Sequence, residues 1–504
     1  MKKGMSVLNT TLKAFAVSVA AMFSAFAGSV AHGDESAVAF ENGLTLRDDV
    51  VPAETIVTWP MVAVRTCPPY RVNVNGRPVE VMALPTPDHC LSGVDAQPYY
   101  VAYFDAANEV EVEISGGPAP MKDVRILPLS KGIKPEVLAK DKMRFRAKPP
   151  FTVAVEPQPR HRALVIAANV PEHEVPAADD PHVITVGPGR HRYDQPLIVG
   201  SNETLYLAPG AYVEGPVVLE GTNITVCGRG IVSGAAWPHY GGPARVDLFT
   251  VKGSDITIRD ITLMSPWHWT CVLQNCERVA IDNVKILNGR VLNDDGIDVC
   301  QSRDVTIRNC FIRTQDDCVA VKRWCENLLV ENCTLWADFA CTVRIGFECD
   351  GPDRRFRNIV FRNIDILHQP IKKSKQTDFW ANNSIFIEAG NGAWFEDLAF
   401  ENFRYDGIEP GDLFLGIRTL KVNDEWQKHK EAGHVRNVTV RNVHFPALPP
   451  DTMSVHLESL DADHIIENVT FENVTGCGPY SSAGIVKGIN IPESSFAKEA
   501  LSVR

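Results

Sequence analysis

Positive charge is scarce in this 504-residue chain: 50 Lys and Arg stand against 62 Asp and Glu, a formal charge of −12. Lys2, Lys3 and Lys13 all fall in the first 31 residues, so a chain without that segment sets 47 cations against 62 acids, or −15. A nucleic-acid partner usually shows itself through a basic face, and this balance argues against one. The 13 cysteines contain no CxxC pair, which argues against a thiolate metal cluster. Nor does any apolar run reach the roughly 20 residues of a membrane-spanning helix. The longest, Ala14 to Ala27, follows Lys2 and Lys3 and leads into small residues at two candidate cleavage points, Ala25/Ala27 and Ser29/Ala31. That layout predicts an export signal over residues 1–31, and a secreted or periplasmic protein with no integral membrane segment after processing.

Core-forming material is plentiful. Hydrophobic residues make up 45% and charged residues 22%, which excludes a disordered chain, a collagen and a small disulfide scaffold. Cys67 and Cys90 stand apart and are free to bridge each other, whereas ten cysteines crowd between Cys271 and Cys477. Cysteines such as Cys310 and Cys333, at equivalent points of a repeat, are expected to be buried small hydrophobes rather than bridges. Their odd total leaves at least one thiol unbridged within the chain.

The repeat is an alternating apolar stretch closed by Asn or Asp. It reads Ile256-Thr-Ile258-Arg-Asp260, Val279-Ala-Ile281-Asp-Asn283, Val305-Thr-Ile307-Arg-Asn309 and Leu328-Leu-Val330-Glu-Asn332, and returns at Asn363, Asn402, Asn442 and Asn473. The steps are 23, 26, 23, 31, 39, 40 and 31 residues. Alternation at period two is a strand with one buried face. A strand returning about every 23 residues leaves no room for a crossover helix, so each turn stacks on the last. The expected fold is all-β, a right-handed parallel β-helix over 180–495, with loops inserted in the longer steps. The repeated Asn is expected to form a ladder of side-chain amides. Acceptor patterns for glycosylation at Asn332, Asn437, Asn468 and Asn473 are then by-products of the repeat or abut it. Residues 35–168 have a different texture. Short strands at Arg71-Val-Asn-Val-Asn-Gly76, Tyr99-Tyr-Val-Ala-Tyr-Phe104 and Val110-Glu-Val-Glu-Ile114, without a period, predict a small N-terminal β-sandwich. Val170 to His182 reads as the linker.

The densest acids fall on two consecutive coils: Asn293-Asp294-Asp295-Gly296-Ile297-Asp298 and Gln315-Asp316-Asp317-Cys318. Asp295 precedes Asp316 and Asp317 by 21 and 22 residues, close to one coil, so the carboxylates should stack within roughly 5–10 Å at a ~4.8 Å strand spacing. Like charges so close cannot all ionise cheaply, and one is expected to keep its proton. A protonated acid beside an ionised base is the equipment for hydrolysing a glycosidic bond. The same cluster also suits a hard cation such as calcium.

These acids, followed by Val319-Ala-Val-Lys322, resemble the Asn-X-Asp and Asp-Asp motifs of the polygalacturonases. Those are glycoside hydrolase family 28, which shares a clan with the dextranases of family 49. The likeness covers about residues 180 to 495. Ser201-Asn202-Glu-Thr-Leu205, Pro209-Gly-Ala211 and Ser265-Pro266-Trp267 resemble stretches common in the superfamily, and a sandwich before the helix is similar to the dextranase arrangement. The resemblance implies Asp316 as general acid, Asp295 and Asp317 as activators of the attacking water, inversion at the anomeric carbon, and no cofactor or metal. Two departures stand out. The Gly-His-Gly of the polygalacturonases corresponds to Ala340-Cys341-Thr342, without a histidine, and Gly416-Ile-Arg418-Thr-Leu-Lys421 only loosely echoes their Arg-Ile-Lys. Polygalacturonic acid as substrate is thereby put in question.

If Ile297, Val299, Val319, Val321, Val343 and Ile345 point inward, Asp298, Lys322 and Arg344 point outward as a charged file beside the acids. Asp298 and Lys322 form either a structural ion pair or a substrate contact. Arg344, with no partner evident in the sequence, is expected to meet a sugar hydroxyl or carboxylate. One coil earlier, Trp267, His268 and Trp269 are candidates for sugar contact, and His268 for the role of the missing histidine. The basic loop Ile371-Lys372-Lys373-Ser374-Lys375 is either a cleft wall or a solvated loop. Three functions compete: an inverting hydrolase of a pectic or related polysaccharide, with a neutral glycan as the dextranase-like variant; a calcium-dependent polysaccharide lyase; and a non-catalytic glycan-binding β-helix.

Overall fold

A computed structural model describes residues 69–503 except 85–98, 158–161, 178, 369–382, 408–412, 423–429, 446–453, 465, 476–488 and 491–500. The export signal, Cys67 and Cys90, and the basic loop at 371–375 lie outside the described residues.

Two five-stranded sheets come first. One runs, in lateral order, Arg77–Val79, Tyr70–Val74, Val110–Gly116, Lys142–Ala147 and Glu136–Ala139. The other runs Val81–Ala83, Tyr100–Asp105, Leu164–Asn169, Phe151–Glu156 and Arg125–Leu127. In the first sheet Val72, Val74, Val112, Ile114, Met143 and Phe145 are buried and alternate with more exposed residues, the signature of one covered face. The second sheet departs from that pattern: Tyr100–Asp105 and Leu164–Asn169 are buried at every position. The two strands pair in parallel, and both faces are covered. Ala102, Phe104, Leu164 and Ile166 face the first sheet. Val101, Tyr103, Val165 and Ala167 pack on Tyr212, Ile231, Met264, Leu287, Phe311 and Trp336, a stack of outward side chains on the following domain.

That domain is a right-handed parallel β-helix. Twenty-five strands from Val183–Val186 to Leu501–Val503 form one continuous sheet whose strands pair in parallel with those one coil away. Around the acids, Cys271–Asp282, Ile297–Arg308 and Val319–Glu331 stack in register, and Lys285–Leu287, Phe311–Thr314 and Thr334–Ala337 stack beside them. Ile297, Val299, Val319, Val321, Val343 and Ile345 all point inward with no exposed surface.

The Asn positions carry two functions. Asp260, Asn283, Asn309, Asn332, Asn363, Asn402, Asn442 and Asn473 have φ between 49° and 71°, a left-handed corner that Asn and Asp tolerate best among residues with a side chain. The ladder runs from Asn363 to Asn332 (3.2 Å), Asn402 to Asn363 (2.8 Å), Asn442 to Asn402 (3.0 Å) and Asn473 to Asn442 (2.9 Å). At Asn309 it slips: that amide donates to Asp282 instead of Asn283. A second left-handed corner lies five residues before each of these, at Asp304, Asn327, Asn358, Asp397, Asn437 and Asn468 among others. It carries its own ladder, with Asn327 donating to Asp304, Asn358 to Asn327, Asn437 to Asp397 and Asn468 to Asn437. Asn437 and Asn468 therefore do more than abut the repeat: they are rungs of this second ladder. The ten cysteines from Cys227 to Cys349 are free and buried, and seven of them, Cys310 and Cys333 included, lie in the core of the coils.

Candidate active site

The acids sit in the turns that enter two successive strands. Gly296 N–H donates to the Asp317 carbonyl at 2.8 Å and Ile297 N–H to that of Cys318 at 3.0 Å, which sets Asp295 directly over Asp317. The coils approach so closely that a Cβ on Gly296 would lie 2.4 Å from the Cys318 oxygen, so only glycine fits. One carboxylate oxygen from each of Asp295, Asp316 and Asp317 lies within 4.8 Å of the others.

Each acid has its own surroundings. Asp295 is buried; its Oδ2 accepts from Lys322 Nζ at 2.9 Å, and its Oδ1 has no hydrogen-bond partner. Asp317 is buried; its Oδ1 accepts the Cys341 N–H at 2.9 Å, and its Oδ2 lies 3.9 Å from Arg344 Nε. Asp316 is half-buried, and its Oδ1 accepts the Asp317 N–H at 3.0 Å. Burial, reinforced by the charges of Asp295 and Asp317, pushes the Asp316 carboxyl well above the usual carboxylate range. Burial also lifts Asp317, to about 6, against the opposing pull of Arg344. Titration here belongs to the group as a whole, and the upward push is strongest at Asp316, the acid with an open side.

Asp294 organises the turn from beneath. Fully buried, it accepts the Gln315 and Asp316 N–H groups on Oδ1, at 2.7 and 2.9 Å, and the Gly289 N–H on Oδ2, at 2.8 Å. Burial pushes its pKa well above the usual carboxylate range, against the downward pull of the three N–H donors. Its residue type alone does not separate it from Asp295; only the turn's fold assigns one carboxylate inward and the next toward the cleft.

Asp298 and Lys322 form the ion pair, 2.7 Å apart, and Asp298 is wholly buried. Lys322 is also buried, with its ammonium 3.6 Å from the Trp269 ring centroid. Burial disfavours that charge, but Asp295 and Asp298 more than offset it and hold the lysine protonated. The single charged file divides in two. Asp298 is in register with Ala320 and Arg344, whereas Lys322 is in register with Cys300, two residues further along; its long stem reaches back to Asp298. Arg344 does have a partner: it is ion-paired with the buried Glu388, which also binds Arg418. Trp267 is turned into the core, 3% exposed, edge-on to Trp237 and bonded through Nε1–H to the Val246 carbonyl, so it offers no face to a sugar. His268 and Trp269 stack on each other nearer the surface, and His268 Nδ1 is 2.8 Å from Asp247. Tyr240, which the sequence did not single out, is 62% exposed and donates to Asn293 at 2.6 Å. Where a histidine was missing, the Cys341 backbone supplies a donor to Asp317.

The family model for glycosyl hydrolases family 28 matches residues 219–369. The match spans the coils that carry the acids, and it bears out the likeness to polygalacturonase-like glycoside hydrolases read from them. Rhamnogalacturonase A of Emericella nidulans is 27% identical over 209 residues, 40% of this chain and 35% of that protein. A polygalacturonase of Chamaecyparis obtusa is 22% identical over 292 residues, 54% of each. The chain spans about a third to a half of the length of the curated relatives it matches. Among solved structures, Dex49A from Penicillium minioluteum superposes with a TM-score of 0.64 at 15% identity, covering 90% of this chain and 99% of that one. That extent supports the same fold through the sandwich as well as the helix.

Proposed function

We propose that the protein is a secreted glycoside hydrolase that cleaves a pectic or related polysaccharide with inversion, using Asp316 as acid and Asp295 and Asp317 as the bases. One observation carries this reading: a half-exposed carboxyl biased toward its protonated form stands beside a buried carboxylate with one oxygen unpartnered. Two acceptors each about 2.8 Å from one water, at a tetrahedral angle, stand about 4.6 Å apart. The oxygens of Asp295 and Asp317 are within 4.8 Å, a span that one water bridges. In the reaction Asp316 gives its proton to the glycosidic oxygen as the C1–O bond breaks. The water attacks C1 from the opposite face and yields its proton to the Asp295/Asp317 pair, leaving a hemiacetal of inverted configuration. The acids are closer than the ~6.5–9.5 Å common for inverting pairs, so the mechanism depends on a water held between the two bases. Secretion is supported by the export signal read in residues 1–31; among the described residues no helix is long and apolar enough to cross a membrane.

Three converging carboxylates also suit calcium, the premise of a lyase. Against it stands Lys322, whose buried ammonium already supplies Asp295 with its counter-charge at 2.9 Å.

The test incubates the protein and its Asp316→Asn variant with polygalacturonate, rhamnogalacturonan, dextran and arabinan, with and without chelator. Reducing ends, ultraviolet absorbance of unsaturated products, and the first-formed anomer by proton NMR are recorded. Chelator-insensitive reducing ends of inverted configuration, lost in the variant, are expected. Retained configuration overturns the mechanism, and unsaturated products that vanish with chelator overturn the hydrolase.

A further inference from the structure

A set of buried charges that the proposed mechanism does not use lies on the coils beyond Arg344. Ile385 and Ile387 point into the core with no exposure, so Phe386 and Glu388 point outward. Register places Phe386 beside Arg344, and Glu388 beside Gly346 on one side and Arg418 on the other. Glu388 is fully buried. It accepts hydrogen bonds from Arg344 and from Arg418, whose Nε is 2.8 Å away. The two guanidinium groups flank the Phe386 ring at 5.5 and 5.3 Å from its centroid, and their side chains are only 14% and 11% exposed.

A uronate carboxylate is best read by a guanidinium whose fork is open for two parallel bonds. Here Arg344 is shared between Glu388 and Asp317, and Arg418 is held by the same Glu388. Drawing either arginine to a substrate carboxylate strips a buried carboxylate of a counter-charge. The wider balance points the same way. Counting the triad and the ion pairs joined to it among the described residues, three cations, Lys322, Arg344 and Arg418, face five acids, Asp295, Asp298, Asp316, Asp317 and Glu388. Even with Asp316 protonated, negative groups outnumber positive ones, so another carboxylate meets repulsion whereas a hydroxyl does not.

We propose that the subsite on the Arg344 side of the acids takes an uncharged sugar ring, and that Glu388 sets this preference by holding both arginines. The assignment rests on the hydrolase reading for placing a sugar there at all. It implies a neutral glycan, or a pectic chain that presents a neutral residue such as rhamnose at this position, and disfavours homopolygalacturonate.

The test uses ligands that differ only in charge: trigalacturonate and its carboxyl-reduced counterpart, titrated calorimetrically into the intact Asp316→Asn protein. The neutral ligand is expected to bind more tightly by about tenfold, the scale of one partly screened like-charge contact. Adding Glu388→Gln frees the guanidinium forks and should close or reverse that ratio. Arg418→Gln, which leaves Glu388 paired with Arg344, should keep the neutral preference, and it guards against a Glu388 variant that fails to fold. Equal or tighter binding of the acid, an unchanged ratio in a folded Glu388→Gln protein, or no binding of either ligand overturns the proposal. Hydrolysis separates the two ideas. A protein that binds the neutral ligand but cleaves no glycan refutes the hydrolase and keeps the subsite. One that cleaves polygalacturonate as readily as its carboxyl-reduced form does the reverse.

Discussion

Asp294→Asn is the sharpest perturbation of the site because it keeps shape and removes only charge and one acceptor. Asp294 receives three N–H groups, two on Oδ1 and one on Oδ2. The best amide orientation keeps the oxygen toward Gln315 and Asp316 and turns its NH2 against the Gly289 N–H. One buried donor is then left unsatisfied, at about 1–3 kcal/mol, and two charge-assisted bonds become neutral ones, at about 1 kcal/mol each. Against this, a buried carboxylate is replaced by a group that is cheaper to desolvate, as the upward push on the Asp294 pKa indicates. The net expectation is a loss of about 2–4 kcal/mol in denaturant unfolding, with m unchanged. Because the lost bonds fix the backbone that carries Asp316 and Asp317, kcat should fall while KM stays near its wild-type value. A folded variant within about 1 kcal/mol of wild type and with unaltered kcat would falsify the turn-organising role.

Lys322→Gln strands Asp295 and Asp298, buried within 2.9 and 2.7 Å of its ammonium; unfolding should show a loss of about 3–5 kcal/mol, and a change under about 1 kcal/mol would refute the ion pair's role. The folded-state Asp317 carboxyl, at about 6, binds a proton more readily than in the unfolded chain. Between about pH 4 and 6 the native state therefore holds the extra proton, and the contribution of Asp317 to stability declines as pH rises through that window. Asp317→Asn should flatten this decline in a pH series of melting curves; an identical slope in the variant contradicts the assignment. The ten buried cysteines should resist a thiol reagent in the native protein and react after denaturation, and rapid native labelling at Cys310 or Cys333 would contradict their place in the core.

The helix was legible because one short phrase carried both its period and its corner. Alternation in stretches such as Val279-Ala-Ile281 marks the buried face, and the Asn that follows marks the turn. The acids were legible for the same reason: a separation of 21 and 22 residues between Asp295 and Asp316/Asp317 is one coil, so sequence distance converts directly into spatial stacking. Where that conversion breaks, legibility ends. The step from Asn363 to Asn402 carries an insertion, which hides the register of Glu388 against Arg344 and left Arg344 without a visible partner. The second ladder is hidden because its rungs mix Asp304, Asn327 and Asp397, whose shared property is a left-handed backbone rather than a shared side chain. Complete burial of Tyr100–Asp105 was invisible for a different reason: the residues that cover its outer face, from Tyr212 to Trp336, lie more than a hundred positions away.

Those covering residues connect the sandwich to the chemistry. Tyr99 donates its hydroxyl hydrogen to the Asn288 carbonyl at 2.7 Å, and the Asn288 amide in turn donates to the Asp294 carbonyl at 2.9 Å. The Arg313 guanidinium lies 3.8 Å from the Tyr99 ring centroid and 4.1 Å from that of Trp336, and pairs with Asp338 at 3.1 Å. Arg313 lies near the end of the short strand that leads into Gln315, Asp316 and Asp317. The turns bearing the acids are thus held from two directions, by Lys322 and Asp298 along the coils and by Tyr99 of the sandwich, on whose ring Arg313 rests. A turn bearing several carboxylates would otherwise relax outward, since hydration and mutual repulsion both favour separation. Holding the three within 4.8 Å adds to the upward push that burial gives the Asp316 carboxyl, and the sandwich bears on that geometry through a turn it touches only at its base.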